Sequence, residues 1–340
     1  MAKVLVCLIG KRTTHNVQFI KYFKNYYERL IFLTSNKWER SSYGPSNWIR
    51  DALNLSEDEV EKIIISRTDI HRMKEVLDNY NLSPDDTYYL NITGGNKLMS
   101  LFAANYFQKF DAKNFFLPDN RGHIIELGEE NIIIPLKNDL TLREYIRSHG
   151  LKIFESERVV RSFAESKRLM EQYIKFDGNI NRVPDVKYAT RYSRREDKEY
   201  YSGGWFEEYT YWLLKEHLSL PNSQIAMKVK IENQFTNNEY DVVFVKNDKI
   251  FVVECKAYFG KGNLKAKVEH DLYKLAALDD EFGMRSRGLY FTTFDIKGRA
   301  AHDNEVLMKR AKDLDVYVFQ MKDFYHDKFI KKIKSWFVKK

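Results

Sequence analysis

Short apolar runs alternate with amphipathic stretches over the first 135 residues. Residues 4–9 form an unbroken apolar run, the pattern of a strand buried on both faces. A polar loop from Gly10 to Asn16 follows it, after which Val17, Ile20, Phe23 and Tyr27 recur at helical spacing. Residues 30–34, 62–66 and 88–92 read as three further strands. Ile70, Met73, Val76, Leu77 and Tyr80 give a helix between the last two, and Leu98, Leu101, Phe102 and Phe107 give one after the fourth strand. Strands alternating with helices predict an α/β domain with a parallel sheet covered on its faces. Three short runs at 114–117, 124–127 and 132–135 are expected to extend that sheet in antiparallel fashion.

The pattern changes after residue 137. Residues 141–201 are highly charged, mostly helical in period, and end in the polar run 191–198, which reads as a connector of one or two helices. A second pattern then begins. A helix over 205–218 follows Gly203-Gly204, and three consecutive strands are expected at 225–231, 240–245 and 250–255. Helix 264–278, strand 288–293, helix 305–312, strand 316–319 and a basic amphipathic close complete it. This is a second α/β layout, with a mixed sheet. The expected organisation is 1–137, a connector over 138–200, and 201–340.

A chain of 340 residues suits two domains. Hydrophobic residues at 44% and aromatics at 15% exclude wholesale disorder. Two cysteines, Cys7 and Cys255, cannot build a disulfide framework or a Cys-rich zinc site. No apolar run approaches the roughly 18 residues of a membrane span, and the 4–9 run is too short for the core of a secretion signal. The expectation is a soluble, cytoplasmic protein without a membrane partner. Lys+Arg exceed Asp+Glu by 56 to 48, a formal charge of +8 that points to phosphate-bearing partners.

The most specific chemical pattern is Asp241 with Glu254-Cys255-Lys256. Asn247-Asp248 is a two-residue turn between two alternating apolar strands. That turn pairs Lys246 with Lys249 and so places Asp241 opposite Glu254, with Lys256 on the same face. Two opposed carboxylates in an otherwise apolar hairpin repel unless a cation lies between them. Mg²⁺ or Mn²⁺ is the natural occupant, since a hard cation of this kind uses one or two carboxylates and keeps places for water and a phosphate oxygen. The lysine would orient or deprotonate the attacking water, giving in-line hydrolysis of a phosphodiester. Cys255 is expected to be a small buried hydrophobe rather than a nucleophile.

These residues resemble the PD-(D/E)xK restriction-endonuclease-like nucleases. The resemblance implies that Asp241 and Glu254 ligate the metal, that the Cys255 carbonyl joins them, and that Lys256 supports the water. Gly204-Trp205-Phe206-Glu207-Glu208 resembles the first-helix motif, whose acid points toward the metal. Glu207 fits that motif best and Glu208 stays open. Tyr240 stands where the family has proline, and His270, Tyr273 and Lys274 stand where it commonly has a glutamine motif. Lys261, Lys265 and Lys267 either hold a nucleic-acid backbone or form an ordinary solvated face.

In the first domain, Asn91-Ile92-Thr93-Gly94-Gly95-Asn96-Lys97 closes a strand and opens a helix. Two glycines allow close backbone approach, and the helix N-terminus offers free N–H groups to an anion. Gly10, Lys11, Arg12 and Thr13 end the first strand on the same sheet edge, and Thr34-Ser35-Asn36 end the second. Ligands of open α/β sheets bind in the crevice at those ends. Neither GxxxxGK[ST] nor GxGxxG occurs. The Thr93–Lys97 segment and the first loop resemble the CARF (CRISPR-associated Rossmann fold) sensor domains over about residues 1–135. That resemblance implies a homodimer holding a cyclic oligoadenylate, most simply cyclic tetra-adenylate, through Gly10, Lys11, Arg12, Thr13, Thr93, Gly94, Gly95, Asn96 and Lys97. No arginine has a histidine five positions on, so the HEPN ribonuclease motif is absent.

The expected fold is therefore an N-terminal Rossmann-like CARF domain and a C-terminal restriction-endonuclease-like domain. The expected function is that of a type III CRISPR nuclease, activated by the cyclic ligand and dependent on Mg²⁺ or Mn²⁺. Its substrate would be single-stranded DNA, RNA or nicked duplex DNA. A regulator that binds nucleic acid through an inactive nuclease fold, and a ring nuclease that degrades its own messenger, are the alternatives.

Overall fold

The computed structural model describes residues 1–39, 43–118, 122–137, 139–154, 161–176, 182–183, 198–232, 237–257, 264–279, 282, 287–293, 301–324 and 328–338. The chain divides into two compact units, one of Met1–Ile153 and one of Phe154–Glu232 with Thr236–Lys340. The stretch expected as a connector is shared between them, and most of its polar run 191–198 lies outside the described residues.

The first unit runs β1 (Lys3–Leu8), α1 (Thr14–Tyr22), β2 (Arg29–Thr34), α2 (Pro45–Leu53), β3 (Glu61–Ile64), α3 (Ile70–Asp78) and β4 (Thr87–Asn91). It continues with α4 (Lys97–Phe107), β5 (Lys113–Phe116), β6 (His123–Leu127), β7 (Ile132–Pro135) and α5 (Leu142–Arg147). The sheet order is β3-β2-β1-β4-β5-β6-β7. β1 is central, and every residue from Val4 to Ile9 is fully buried. One expectation is corrected. The run at 114–117 was expected to begin an antiparallel extension, yet β5 lies parallel to β4, with Tyr89 facing Lys113 and Asn91 facing Phe115. The crossover helix α4 returns the chain to the starting edge, which imposes a parallel strand. Only β6 and β7 are antiparallel. Helix α2 is amphipathic. Pro45 at its first turn starts it, and Ile49 and Ala52 bury one narrow face.

The division falls within β8 (Lys152–Phe154). The second unit then carries α6 (Phe163–Lys175), an irregular turn at Tyr200–Gly204, α7 (Trp205–His217), β9 (Ile225–Glu232), β10 (Asn237–Lys246) and β11 (Lys249–Lys256). After these come α8 (Leu264–Asp279), β12 (Arg287–Thr292), α9 (Ala301–Asp313), β13 (Val316–Phe319) and α10 (Lys328–Val338). The sheet order is β13-β12-β11-β10-β9-β8. β9, β10 and β11 are antiparallel, and β11, β12 and β13 are parallel. The Asn247-Asp248 turn takes φ of 52° and 54°, the left-handed pair that a two-residue hairpin turn requires. It sets the predicted register, Lys246 against Lys249 through Val242 against Val253. Trp205, Phe206 and Leu214 of α7 pack on Val242, Phe244 and Val253 in one buried cluster. Helix α7 is thereby pinned beside the middle of the hairpin.

Candidate functional sites

Asp241 and Glu254 are the next positions beyond the fully buried Val242–Val253 pair, and they carry charge into the sheet. The Glu254 side chain is 4% exposed. Lys256 Nζ lies 2.5 Å from Glu254 Oε1 and 3.9 Å from Asp241 Oδ2. The Cys255 backbone N–H donates to Asp241 Oδ2 at 2.6 Å, which fixes that carboxylate against β11. Burial first, then the Glu254 and Glu207 carboxylates, push the Asp241 carboxyl up to about 8. Burial alone would lower the Lys256 ammonium, but Asp241 and Glu254 outweigh it and hold the pKa above its ordinary value. Without a cation between the carboxylates, Lys256 is therefore held as an ammonium paired with Glu254 and Asp241. Burial pushes the Cys255 thiol well up, so it is no nucleophile.

The two acids of α7 go to different places. Glu207 is among the charges that act on Asp241, and its Oε2 lies 3.4 Å from Lys228 Nζ. Glu208 is buried and accepts from the Arg161 backbone N–H at 3.0 Å. Burial, opposed by that hydrogen bond, raises its carboxyl. Consecutive helix residues diverge by about 100°, so one acid serves the sheet and the other the chain before α6. Lys228 was not anticipated. It occupies φ 52° on β9, between the Val229–Tyr240 and Met227–Val242 pairs and hence beside Asp241. Its recognition needed the β9–β10 register, which no turn motif in the sequence announces. Lys274 on α8 approaches Glu254 Oε1 at 3.5 Å. Lys265 and Lys267 are on α8 and Lys261 lies outside the described residues.

Three carboxylates thus converge, with three lysines around them. Among the described residues, no group of three or more His, Cys, Asp and Glu side chains forms a ligand set by itself. Two carboxylates nevertheless suit Mg²⁺ or Mn²⁺, which draws its remaining ligands from water and phosphate. Beyond burial, the upward push on Asp241 comes from repulsion by Glu254 and Glu207, which such a cation would relieve.

In the first unit, the tips of β1 and β4 are brought together by backbone fit. A Cβ on Gly94 would stand 1.8 Å from the Leu8 carbonyl oxygen, and one on Gly10 would stand 3.1 Å from Gly95 N. Gly95 takes φ 72°. No larger residue fits Gly94, and Gly95 needs the left-handed region. Beneath the loop, Asn91 Nδ2 donates to Asn16 Oδ1 at 2.8 Å, and Asn16 Nδ2 donates to the Leu8 carbonyl at 3.2 Å. Asn96 caps α4 by accepting from the Met99 N–H, and its Nδ2 donates to the Arg67 carbonyl at 3.0 Å. Thr93 Oγ1 accepts from the Leu117 N–H at 2.8 Å. Thr13 is buried and its hydroxyl donates to the Ser148 carbonyl. Lys11, Arg12 and Lys97 are exposed. Thr13, Thr93 and Asn96 therefore shape the loops, Gly10, Gly94 and Gly95 let backbone close on backbone, and the three cations are exposed beside them. Ser148, reached through α5, had no sequence signal.

The domain models that match are the Card1 CARF domain over residues 4–145 and the Card1-like endonuclease domain over residues 194–338. No curated protein matches the chain by sequence. Among solved structures, Can2 from Sulfobacillus thermosulfidooxidans, in complex with cyclic tetra-adenylate, is 18% identical, with a TM-score of 0.73 over 98% of this chain and 99% of its own. Protein VC1899 from Vibrio cholerae is 16% identical, with a TM-score of 0.76 over 98% of each chain. A type III CRISPR defence DNA nuclease activated by cyclic oligoadenylate is 16% identical, with a TM-score of 0.60 over 86% of this chain and 45% of its own. At these identities the structural likeness establishes the fold.

A CARF domain followed by an endonuclease domain with carboxylates and lysine on one hairpin defines the class, a CARF-bearing nuclease. The chain belongs to the family that joins a Card1 CARF domain to a Card1-like endonuclease domain. It is in that sense an endonuclease that carries a CARF domain.

Proposed function

We propose that the chain hydrolyses phosphodiester bonds of nucleic acid with Mg²⁺ or Mn²⁺ when cyclic tetra-adenylate occupies the first unit. The observation that carries this reading is the grouping of Asp241, Glu254 and Lys256 on the second sheet, with Glu207 of α7 acting on Asp241. Asp241 and Glu254 would hold the cation, which lowers the pKa of a bound water and neutralises phosphate charge. Asp241 is kept in place by the Cys255 N–H. Lys256, held protonated by two carboxylates, donates to the attacking water or to a phosphoryl oxygen and so stabilises the charge that develops there. Glu207, oriented by Lys228, adds negative charge on the same side.

The tetramer is supported by the fold shared with Can2, which is solved with that ligand. A two-fold ring suits a homodimer, because each copy offers the same Gly10–Thr13 and Thr93–Lys97 loops across the axis. Activation requires that the ring bind the nuclease-competent state more tightly than the idle one. The test is cleavage of labelled DNA and RNA with and without cyclic tetra-adenylate, in Mg²⁺, in Mn²⁺ and in EDTA. Cleavage that needs both ring and metal is expected. Ligand-independent cleavage, or none under any condition, overturns the reading.

A further inference from the structure

Gly204 ends the irregular turn before α7, yet its backbone does not require a glycine. Its φ of −56° and ψ of −29° are right-handed helical, where alanine is the more favourable residue. What the glycine offers is space. A Cβ there would stand 3.2 Å from Lys228 Nζ, closer than ordinary van der Waals contact. Its other neighbours, the Glu199 carbonyl oxygen and Tyr200 Cδ2, lie at 3.6 and 3.8 Å and would tolerate a methyl group. The missing methyl is therefore the seat of one ammonium.

Lys228 reaches that seat from a strained backbone. Among the described residues, the other non-glycine residues at positive φ are Asn, Asp or Ser, and they stand in turns or at helix ends. Lys228 takes φ 52° inside β9. A long side chain in that region is uncommon, and such strain gathers at functional sites. The strand pairing passes over it, from Val229–Tyr240 to Met227–Val242, so Lys228 and Asp241 face each other across β9 and β10. The Lys228 side chain is 14% exposed, and its Nζ lies 3.4 Å from Oε2 of Glu207, which is 20% exposed. A pair so sheltered is screened little by salt. Gly204 and Glu207 are three positions apart at the start of one helix and so share a side of it. The glycine that admits the ammonium thus lies beside the acid that the ammonium holds.

We infer that Lys228, seated in the space left by Gly204, is a positioning residue for the hydrolysis. It holds the Glu207 carboxylate on the Asp241 side and acts through that acid, not on the nucleic acid. Exposure separates the two lysines. Lys256 is 33% exposed and open to a phosphate, whereas Lys228 is covered and engaged. Without Lys228, Glu207 would turn to solvent, away from charges of its own sign. Gly204 gives up the helix stability that alanine would supply and gives the pair its room, an exchange of stability for activity. This rests on the reading of Asp241, Glu254 and Lys256 as the hydrolytic centre.

The test is a double-substitution cycle on the full chain with cyclic tetra-adenylate, Mn²⁺ and labelled single-stranded DNA or RNA. It is read as kcat and KM, and as the melting temperature without metal. Lys228→Met keeps the stem and removes the ammonium. It is expected to lower kcat about tenfold with KM within about twofold, and to lower kcat no further in a Glu207→Gln background. In metal-free melts Lys228→Met is expected to lower the melting temperature, and Glu207→Gln to restore part of the loss because no unpaired carboxylate is left. Gly204→Ala is expected to hold or raise the melting temperature while lowering kcat about threefold, opposite signs that a purely structural glycine would not give. It changes no charge, and it keeps the test decisive where Lys228→Met fails to fold. Lys230→Met, on the same strand and paired with Glu239, controls for net charge and is expected to stay within about twofold. Losses that multiply in the Lys228→Met, Glu207→Gln double variant overturn the proposal, because Lys228 would then act on the substrate itself. Wild-type kcat in Lys228→Met or in Gly204→Ala also overturns it and leaves the hydrolytic centre in place. A wild-type chain that cuts neither polymer overturns the reading of that centre, and this proposal with it.

Discussion

On β10 and β11 the chemistry is carried by side chains set into an apolar sheet, whereas at the tips of β1 and β4 it is carried by the main chain. Asp241 and Glu254 are charged groups where Val242 and Val253 beside them are fully buried, and they strain against each other. Gly94 and Gly95 have no chemistry of their own, and their function is to let backbone meet backbone. The difference teaches what each site must do. A hydrolytic centre gathers repelling charge and leaves it ready for a cation, while a ligand cradle needs shape and N–H groups that the fold already holds. The first is sensitive to charge and the second to volume.

The largest expected effect is on the charged side. Asp241→Ala, Glu254→Ala and Lys256→Ala are each expected to lower single-turnover cleavage by about a thousandfold or more, as EDTA does, because each removes part of one transition-state device. Binding of cyclic tetra-adenylate should be unchanged in all three. Near wild-type cleavage in any one of them removes that residue from the site.

The matching blow to the cradle is a single methyl group. Gly94→Ala must move the Leu8 carbonyl, on the central strand, or distort its own loop. A cost of about 3 kcal/mol or more is expected, with loss of ring binding. Gly128→Ala is the comparison, since its Cβ would meet only the Glu130 carbonyl at 3.6 Å, and it should stay within about 0.5 kcal/mol. Denaturant melts and hydrogen exchange in β1 and β4 check both. A tolerated Gly94→Ala would mean that the cradle is looser than its contacts imply.

Legibility follows the same division. The hairpin register was readable because Asn247-Asp248 is a turn with one favoured length, and everything from Lys246–Lys249 to Val242–Val253 follows by counting. The unbroken apolar run of β1 and the helix periods of α3 and α4 were readable for the same reason, since burial dictates them locally. Lys228 was not, because its place beside Asp241 depends on a loop whose length carries no rule. The partnership of Thr13 with Ser148 spans 135 positions and depends on the docking of α5, a tertiary event without a local signature. β5 was assigned the wrong direction, because a short apolar run shows that a strand exists and not which way it runs. The division of labour between Glu207 and Glu208 needed the orientation of α7, which Trp205 and Phe206 settle only by packing.

A smaller effect separates function from stability. Asp241 is pushed up to about 8 against an ordinary value of 3.8. A carboxyl raised by folding contributes fully below its unfolded value, and stability is lost as pH rises from about 4 to about 8. Asp241→Asn can still accept the Cys255 N–H and carries no charge. The metal-free variant is therefore expected to be more stable than wild type at pH 8, on the order of 2 kcal/mol, with little difference at pH 4. Melts at the two pH values check this, and cleavage should be lost throughout. Equal stability at pH 8 would mean that the lysines already neutralise the cluster.

The finest test uses adjacent acids on one helix. Glu207 acts on Asp241 and pairs with Lys228, while Glu208 accepts from Arg161 N–H away from that cluster. Glu207→Gln keeps the size and removes the charge that faces the site, so cleavage is expected to fall about tenfold, or about 1.4 kcal/mol, with the fold intact. Glu208→Gln keeps an acceptor for the Arg161 N–H and removes a charge that burial already disfavours. It should leave cleavage within about twofold and hold or slightly raise the melting temperature. The pair therefore separates charge delivered to the site from charge held in the scaffold. A loss at Glu208→Gln with none at Glu207→Gln would reverse the assignment, and with it the orientation of α7 on which the site is built.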